Sequence, residues 1–290
     1  MFTVTLIAPR GRLAPELASA LRNAWGGGDL LWLSPDEAAE FEVAGIPSNA
    51  AETWAELQRQ STDLVIQPSE GRRKALLIAD MDSTMIEQEC IDELAAEAGV
   101  GERVAAITAR AMNGELDFEA ALRERVGLLK GLPQSVISTV LEKRITPMPG
   151  GPELLATMKA HGAHAALVSG GFTAFTSAIA ARLGFDEHRA NTLLIEDGRL
   201  TGAPGEPILG RDAKVAALTE ISARLGIDPS EALAVGDGAN DLGMLRLAGA
   251  GVALHAKPSV QAEAKIRINH GDLTALLYLQ GYARAEFASG

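Results

Sequence analysis

Apolar residues recur along this chain with two different periods, and where the period changes the predicted element changes with it. Residues 3–8 form an apolar run of strand length. Residues 15–25 repeat at helical spacing and are closed by Gly26-Gly27-Gly28, and 30–33 read as a second strand. Signals from there to about residue 68 are weaker. The segment 67–74 is polar and rich in turn formers, as a linker is, so residues 1–70 are expected to form a small separate α+β domain. From residue 75 onward strands and helices alternate. The run Ala75-Leu76-Leu77-Ile78-Ala79 has no polar break, the habit of a strand covered on both faces of a parallel sheet. Helical stretches follow at 89–98, 102–112, 118–129 and 135–143, punctuated by Gly99, Gly101, Gly114, Gly131 and Pro133, which makes 86–145 a helical insert. Beyond it the pattern predicts a helix over 152–160, a strand over 163–168, a helix ending at Gly184 and a hairpin over 192–201 turning on Asp197-Gly198. A helix capped by Asp212 runs to 225, short strands follow at 232–235, 252–254 and 266–268, and a last helix runs through 280. Such alternation predicts an α/β core with an open, mainly parallel sheet and helices on both faces, assembled from 75–85 and 146–290.

Three of the predicted strands end in polar loops: Asp80-Met81-Asp82-Ser83-Thr84, Ser169-Gly170-Gly171 and Gly236-Asp237-Gly238-Ala239-Asn240-Asp241. Ligands of parallel sheets bind at the carboxyl ends of the strands, so these loops are expected to converge on one edge, with Lys214 on a helix between the last two. Asp80 and Asp82, at i and i+2, project to one side of an extended chain. Two adjacent like charges need a cation near them, and hard magnesium prefers carboxylates together with water and phosphate oxygens. Taken singly the loops are weak signals. Ser169-Gly170-Gly171 is an ordinary tight turn, and it is not a serine-hydrolase elbow because Leu167 stands where a glycine belongs. Lys214 alone is an ordinary surface lysine. The 236–241 loop fails as a dinucleotide fingerprint because Asp241 occupies the third glycine position. Together, in order and on the right strands, they form a set that binds magnesium and a phosphoryl group.

Composition narrows the partners. With 47% hydrophobic residues in 290, the chain has ample material for a core. A formal net charge of -12 argues against nucleic acid and anionic membranes, and it obliges a small anionic substrate to find a local positive pocket. Cys90 is the single cysteine, so no intrachain disulfide can form. The first ten residues lack a leading positive segment and break at Pro9, and no apolar run approaches the ~20 residues of a membrane span, so a cytoplasmic protein is expected. The five histidines are scattered and suggest no metal site.

The pattern Asp-x-Asp-x-Thr at Asp80, Asp82 and Thr84, Ser169 in Val-Ser-Gly-Gly, Lys214, and Asp237 with Asp241 resemble in combination the four motifs of the haloacid-dehalogenase-like phosphatases. From about residue 75 to the C-terminus the chain resembles the branch of that family that hydrolyses phosphoserine in serine biosynthesis. The resemblance implies a three-layer Rossmannoid core, with the helical insert as a cap. It implies Asp80 as nucleophile, Asp82 as general acid and base, and Lys214 beside the phosphoryl group. Mg2+ is expected on Asp80, the backbone carbonyl of Asp82 and Asp237, with Thr84 and Asp241 supporting. Ser169, Gly170, the amide near Ser83 and Asn240 are expected at the phosphoryl oxygens. In the cap the resemblance assigns Glu89 to the ammonium of O-phospho-L-serine, Arg125 to its carboxylate, and Met112 and Phe118 to an apolar lid. Without it, the acidic run 87–97 and Arg123 to Arg125 read as solvated helix faces, and Met112 and Phe118 as core. Related enzymes carry an ACT-like βαββαβ module at the N-terminus that binds amino acids or mediates dimer contacts; a homodimer is an expectation from that analogy alone. Two alternatives stand beside this reading. One is a phosphatase or phosphotransferase of the same superfamily acting on another small phosphomonoester. The other is a non-catalytic aspartyl-phosphate sensor, against which Asp82 argues, because an acid beside the nucleophile promotes turnover.

Overall fold

The computed structural model describes residues 1–112 and 115–289, the side chains of Ala111 and Met112 excepted. Two sheets of opposite character organise it. The N-terminal region runs β1 (Phe2–Ile7), α1 (Pro15–Ala24), β2 (Leu31–Ser34), β3 (Ala38–Val43), α2 (Ala50–Arg59) and β4 (Asp63–Pro68). Its strands pair antiparallel in the order β2-β3-β1-β4, a ferredoxin-like arrangement. Val4, Leu6, Phe41 and Leu64 alternate onto one face and pack with Leu13, Ala18 and Leu57. The sequence signals for β3 and α2 are weak; in the structure α2 buries Leu57 and packs Trp54 against the same cluster.

The segment 67–74 is tied down despite its turn-rich composition. Gln67 and Arg72 both donate to the Leu279 carbonyl, at 2.7 and 3.0 Å, and the Arg72 guanidinium pairs with Glu40 at 2.5 Å. Asp63, fully buried, accepts from the backbone amides of Asn269, His270 and Gly271 at 2.8 to 3.0 Å. A buried carboxylate is tolerable when its lone pairs are filled in this way. Polar residues here staple the two sheets together.

The remainder of the chain begins with β5 (Leu76–Ala79) and the four helices α3 (Cys90–Glu97), α4 (Gly101–Met112), α5 (Phe118–Gly127) and α6 (Ser135–Lys143). Then come α7 (Gly151–Ala160), β6 (His164–Phe172), α8 (Thr173–Leu183), β7 (Glu187–Asn191), β8 (Leu193–Glu196), β9 (Arg199–Pro204) and α9 (Arg211–Leu225). The chain closes with β10 (Ala232–Gly236), α10 (Leu242–Leu247), β11 (Ala250–Leu254), α11 (Pro258–Glu263), β12 (Ile266–Ile268) and α12 (Ala275–Leu279). Six strands form one parallel sheet in the order β12-β11-β10-β5-β6-β7. Strand alternation divides β5 between two layers: Leu77 and Ala79 join the cluster of Leu154, Ile179 and Leu276, while Leu76 and Ile78 join that of Leu218, Ile221 and Leu245. Each fully buried Leu or Ile of these layers contributes about 1.5–3 kcal/mol.

Because β10, β5 and β6 are neighbours, the three polar loops that follow or end them lie side by side. β6 extends through Phe172, past the predicted end at 168, with a register shift against β7 between Val168 and Phe172. Asp212 does not cap α9. Gly210 holds that position, and Asp212 lies in the first turn, where the helix dipole favours a negative charge.

Helices α3–α6 form a cap cluster around Leu94, Leu122, Val126 and Val140. Asp117 caps α5 by accepting from the Ala120 amide at 2.7 Å, which puts Phe118 at the first helical position. The β8–β9 hairpin turns on Asp197 and Gly198, both at positive φ as a type I′ turn requires. It binds the cap backbone: Gly131 donates to the Leu200 carbonyl, and Leu200 to that of Leu132.

Candidate active site

The site is floored by the loop that follows β5. Asp80 remains in sheet register, its amide donating to the Val235 carbonyl, so its side chain emerges at the strand end almost wholly buried. The Lys214 ammonium reaches it from α9 at 2.7 Å and reaches Asp241 at 2.5 Å. The second Asp241 oxygen accepts from the Gly238 amide at 2.9 Å. Burial opposes the charge on Lys214, but Asp241 and Asp80 outweigh it and raise its pKa, so the lysine is held as a cation. Burial, reinforced by Asp241, raises the Asp80 pKa well above its usual value, with Lys214 acting in opposition.

Asp82 faces the β6 loop and the cap. One of its oxygens accepts from the Cys90 amide at 2.9 Å, and the other from the Ser169 hydroxyl at 3.3 Å. Ser169 in turn accepts from the Gly171 amide at 2.8 Å. A Cβ on Gly171 would stand 2.7 Å from an Asp82 oxygen, so glycine is required for this approach. Burial first, then Glu89, lifts Asp82 to about 6, against the lowering effect of its hydrogen bonds. The Ser83 hydroxyl, from a residue at positive φ, donates to Glu89 at 2.8 Å and fixes the start of α3 to the floor.

Asp80, Asp82, Glu89, Phe118, Arg125, Ser169, Gly170, Asp237 and Asn240, all named by the sequence, line one cavity of about 430 Å3. Lys214, Thr84 and Asp241 lie behind it, buried; the Thr84 hydroxyl donates to Asp237 at 3.4 Å. Phe118 is 36% exposed and lies over the β6 loop, where a Cβ on Gly170 would approach its ring to 3.2 Å. It stands at the mouth and is not a core residue. The Met112 side chain lies outside the described residues.

The carboxylates of Asp80, Asp237 and Asp241 offer oxygens within 4.8 Å of one another. Burial first, then Asp241 and Glu89, lifts Asp237 to about 6. Crowded carboxylates raised in this way are short of positive charge, and an all-oxygen donor set suits a hard divalent cation. Asp241 is the least available of the three, since Lys214 and Gly238 take both its oxygens.

The model of the haloacid dehalogenase-like hydrolases matches residues 77–246, a span that holds every floor residue above. The chain belongs to the haloacid dehalogenase-like hydrolase family. A phosphoserine phosphatase of Haemophilus influenzae is 50% identical over 204 residues, covering 70% of this chain and 65% of the relative. The chain thus spans just under two thirds of that relative's length. A crystal structure of a HAD family hydrolase from Salmonella enterica superposes with a TM-score of 0.87 at 33% identity, covering 96% of this chain and 98% of the other. An unliganded probable phosphoserine phosphatase from Vibrio cholerae does so at 0.81 and 34% identity, covering 98% and 88%.

The hydrolase cavity also contains residues that the sequence did not single out. Asp92 lies one turn after Glu89 on α3, and burial, with Glu89, raises its pKa; the charge run hid it among solvated neighbours. Thr108 of α4 lines the cavity with a buried hydroxyl that has no partner among the described residues. Lys257 follows β11 on the same sheet edge, and that placement after a parallel strand was the available signal. Burial lowers the Arg125 pKa against the opposing pull of Asp92, Glu89 and Asp82.

Proposed function

We propose that this hydrolase cleaves O-phospho-L-serine to L-serine and inorganic phosphate with magnesium, through an aspartyl-phosphate. One observation carries the reading: a single cavity has Asp80 and Asp82 on its floor, and an anion, Glu89, and a cation, Arg125, on its cap wall. Phosphoserine presents a phosphoryl group at one end and an ammonium and a carboxylate at the other. The names of the relatives agree with that complementarity.

In the first step an Asp80 oxygen attacks phosphorus, and the bond to the seryl oxygen breaks as Asp82 delivers its proton to that oxygen. In the second, water attacks the same phosphorus, Asp82 takes the proton, and the Asp80 carboxylate is released with phosphate. An acid near 6 suits both directions of transfer, since its two forms are close in energy at physiological pH. Magnesium, held by Asp80, the Asp82 carbonyl and Asp237, would neutralise charge between nucleophile and phosphoryl oxygens. Ser169, the Gly170 amide, Asn240 and Lys214 stabilise the transferring group, and Thr84 and Asp241 hold Asp237 and Lys214 in place. Residues 86–145 act as a cap, with Met112 and Phe118 excluding water over the ester.

Phosphate release from L-phosphoserine, with and without magnesium, tests the reading beside a panel of other phosphomonoesters. Magnesium-dependent turnover that prefers L-phosphoserine is expected, falling by ~10³-fold or more in Asp80→Asn. Turnover of other esters only would keep the floor chemistry and overturn the assignment of the cap.

A further inference from the structure

Against the candidate site lies a second cavity of about 480 Å3, between the cap and the sheet edge. The two share six lining residues, Thr108, Phe118, Arg125, Gly238, Asn240 and Lys257, so a ligand passing from one to the other moves past the Phe118 ring. Among the described residues, the charged ones on the wall of this outer cavity are Arg125, Arg211 and Lys257, and no carboxylate lines it. That is a marked local reversal in a chain of formal net charge -12. Among the described residues none of these three cations forms an ion pair.

Arg211 is the most telling of them. It is exposed and occupies the first turn of α9, directly after the Gly210 cap, where a positive charge opposes the helix dipole. Packing does not explain it, and local rules are broken most often where function requires it. Its neighbour Asp212 is exposed and does not line the cavity.

We propose that this outer cavity is an anion vestibule. Arg211 outside the Phe118 ring, with Lys257 at the boundary the two cavities share, holds the dianionic phosphoryl end of a phosphomonoester on entry and inorganic phosphate on exit. Unpaired cations at the mouth of an acidic protein focus the field and raise the local concentration of a dianion. The inference rests on reading the floor as a phosphomonoesterase, and it adds a binding step to that reading.

The test uses the intact chain with Arg211→Gln, Lys257→Gln and the double variant, and reads kcat/KM for L-phosphoserine at about 20 and about 200 mM salt. The double variant is expected to lose about three- to tenfold at low salt, the loss falling on KM and shrinking at high salt. Arg211→Lys, which keeps the charge, restores most of the Arg211→Gln loss. A loss equal at both salt concentrations, or confined to kcat, would overturn the vestibule. Calorimetric titration with inorganic phosphate is independent of turnover and is read on Arg211→Gln, whose side chain lines the outer cavity and not the inner one: weaker binding supports the vestibule, and unchanged binding overturns it. If the unmodified chain does not hydrolyse phosphoserine, the proposed substrate fails, and the phosphate titration still decides the vestibule.

Discussion

The floor and the wall of the site are built by opposite rules. On the floor, Asp80, Lys214 and Asp241 are 5%, 3% and 0% exposed, and the lysine bridges the two carboxylates. On the wall, Glu89 is exposed, and the one described side-chain hydrogen bond of Arg125 runs from its Nε to the Ala121 carbonyl at 3.3 Å. A buried charge network is costly unless complete, so the fold must set its geometry before any ligand arrives. The wall leaves the Arg125 guanidinium nitrogens open, on helices that share one apolar cluster with the sheet layer and pack on it through α6 and α8 as well as through loops and the β8–β9 hairpin. Under the proposed function, the difference fits preorganised chemistry on the sheet and adjustable recognition on the cap.

Four experiments break or sharpen that contrast. The largest effect is expected from Lys214→Met, which strands Asp80 and Asp241 as unpaired buried carboxylates. A loss of about 3–5 kcal/mol in urea unfolding is expected along with loss of turnover; an unfolding midpoint like that of the unmodified chain would show that the floor is not over-determined.

Next comes the cation. Without it, burial and the neighbouring carboxylates hold Asp82 and Asp237 up at about 6, above the 3.8 of a free aspartate. Between those values the folded chain binds more protons than the unfolded one, so the contribution of these two groups to stability falls as pH rises through that window and is least above it. Magnesium should therefore stabilise the chain at about pH 7.5, by roughly 3 kcal/mol at ~100 times its dissociation constant, and far less at about pH 5. Asp237→Asn should abolish the pH-dependent increment. Equal stabilisation at both pH values would remove Asp237 from the cation site.

On the wall, Arg125→Ala should lower kcat/KM for L-phosphoserine by about 100-fold, as loss of a charged bidentate contact does, with little change on an aryl phosphate and little change in melting temperature. Equal losses on both substrates would move Arg125 from recognition to chemistry. The smallest effect is expected from Thr108→Val. Replacing an unpartnered buried hydroxyl by a methyl should leave stability unchanged or raise it by less than about 1 kcal/mol. A rise of several-fold in KM for phosphoserine alone would assign that hydroxyl to the amino-acid end of the substrate.

The parallel core was legible because its strands are short unbroken apolar runs, and only a sheet covered on both faces can use Leu76 to Ala79 in that way. The floor loops were legible because chemistry at a parallel sheet collects at strand ends. β3, α2 and the staple at 67–74 were not: their stabilising contacts, Arg72 with Glu40 and Asp63 with the 269–271 amides, join residues far apart in sequence and leave no local period. Arg211 and Lys257 went unnoticed for a similar reason. Arg211 stands three residues before the motif lysine Lys214 and Lys257 follows a strand end with no acidic partner in sequence, and they become a feature only when two helices and a strand end bring them to one cavity.

Sequence by itself determined the α/β class and which groups stand at which strand ends of the core, because periodicity and covalent order are local properties that the chain cannot evade. Tertiary structure alone decided which charges meet. Lys214 between Asp80 and Asp241, Asp82 between Cys90 and Ser169, and three cations at a mouth free of lining carboxylates are all set by distances across the sheet edge. Electrostatic energy depends on those separations and on the burial around them, neither of which is written in the spacing of residues along the chain.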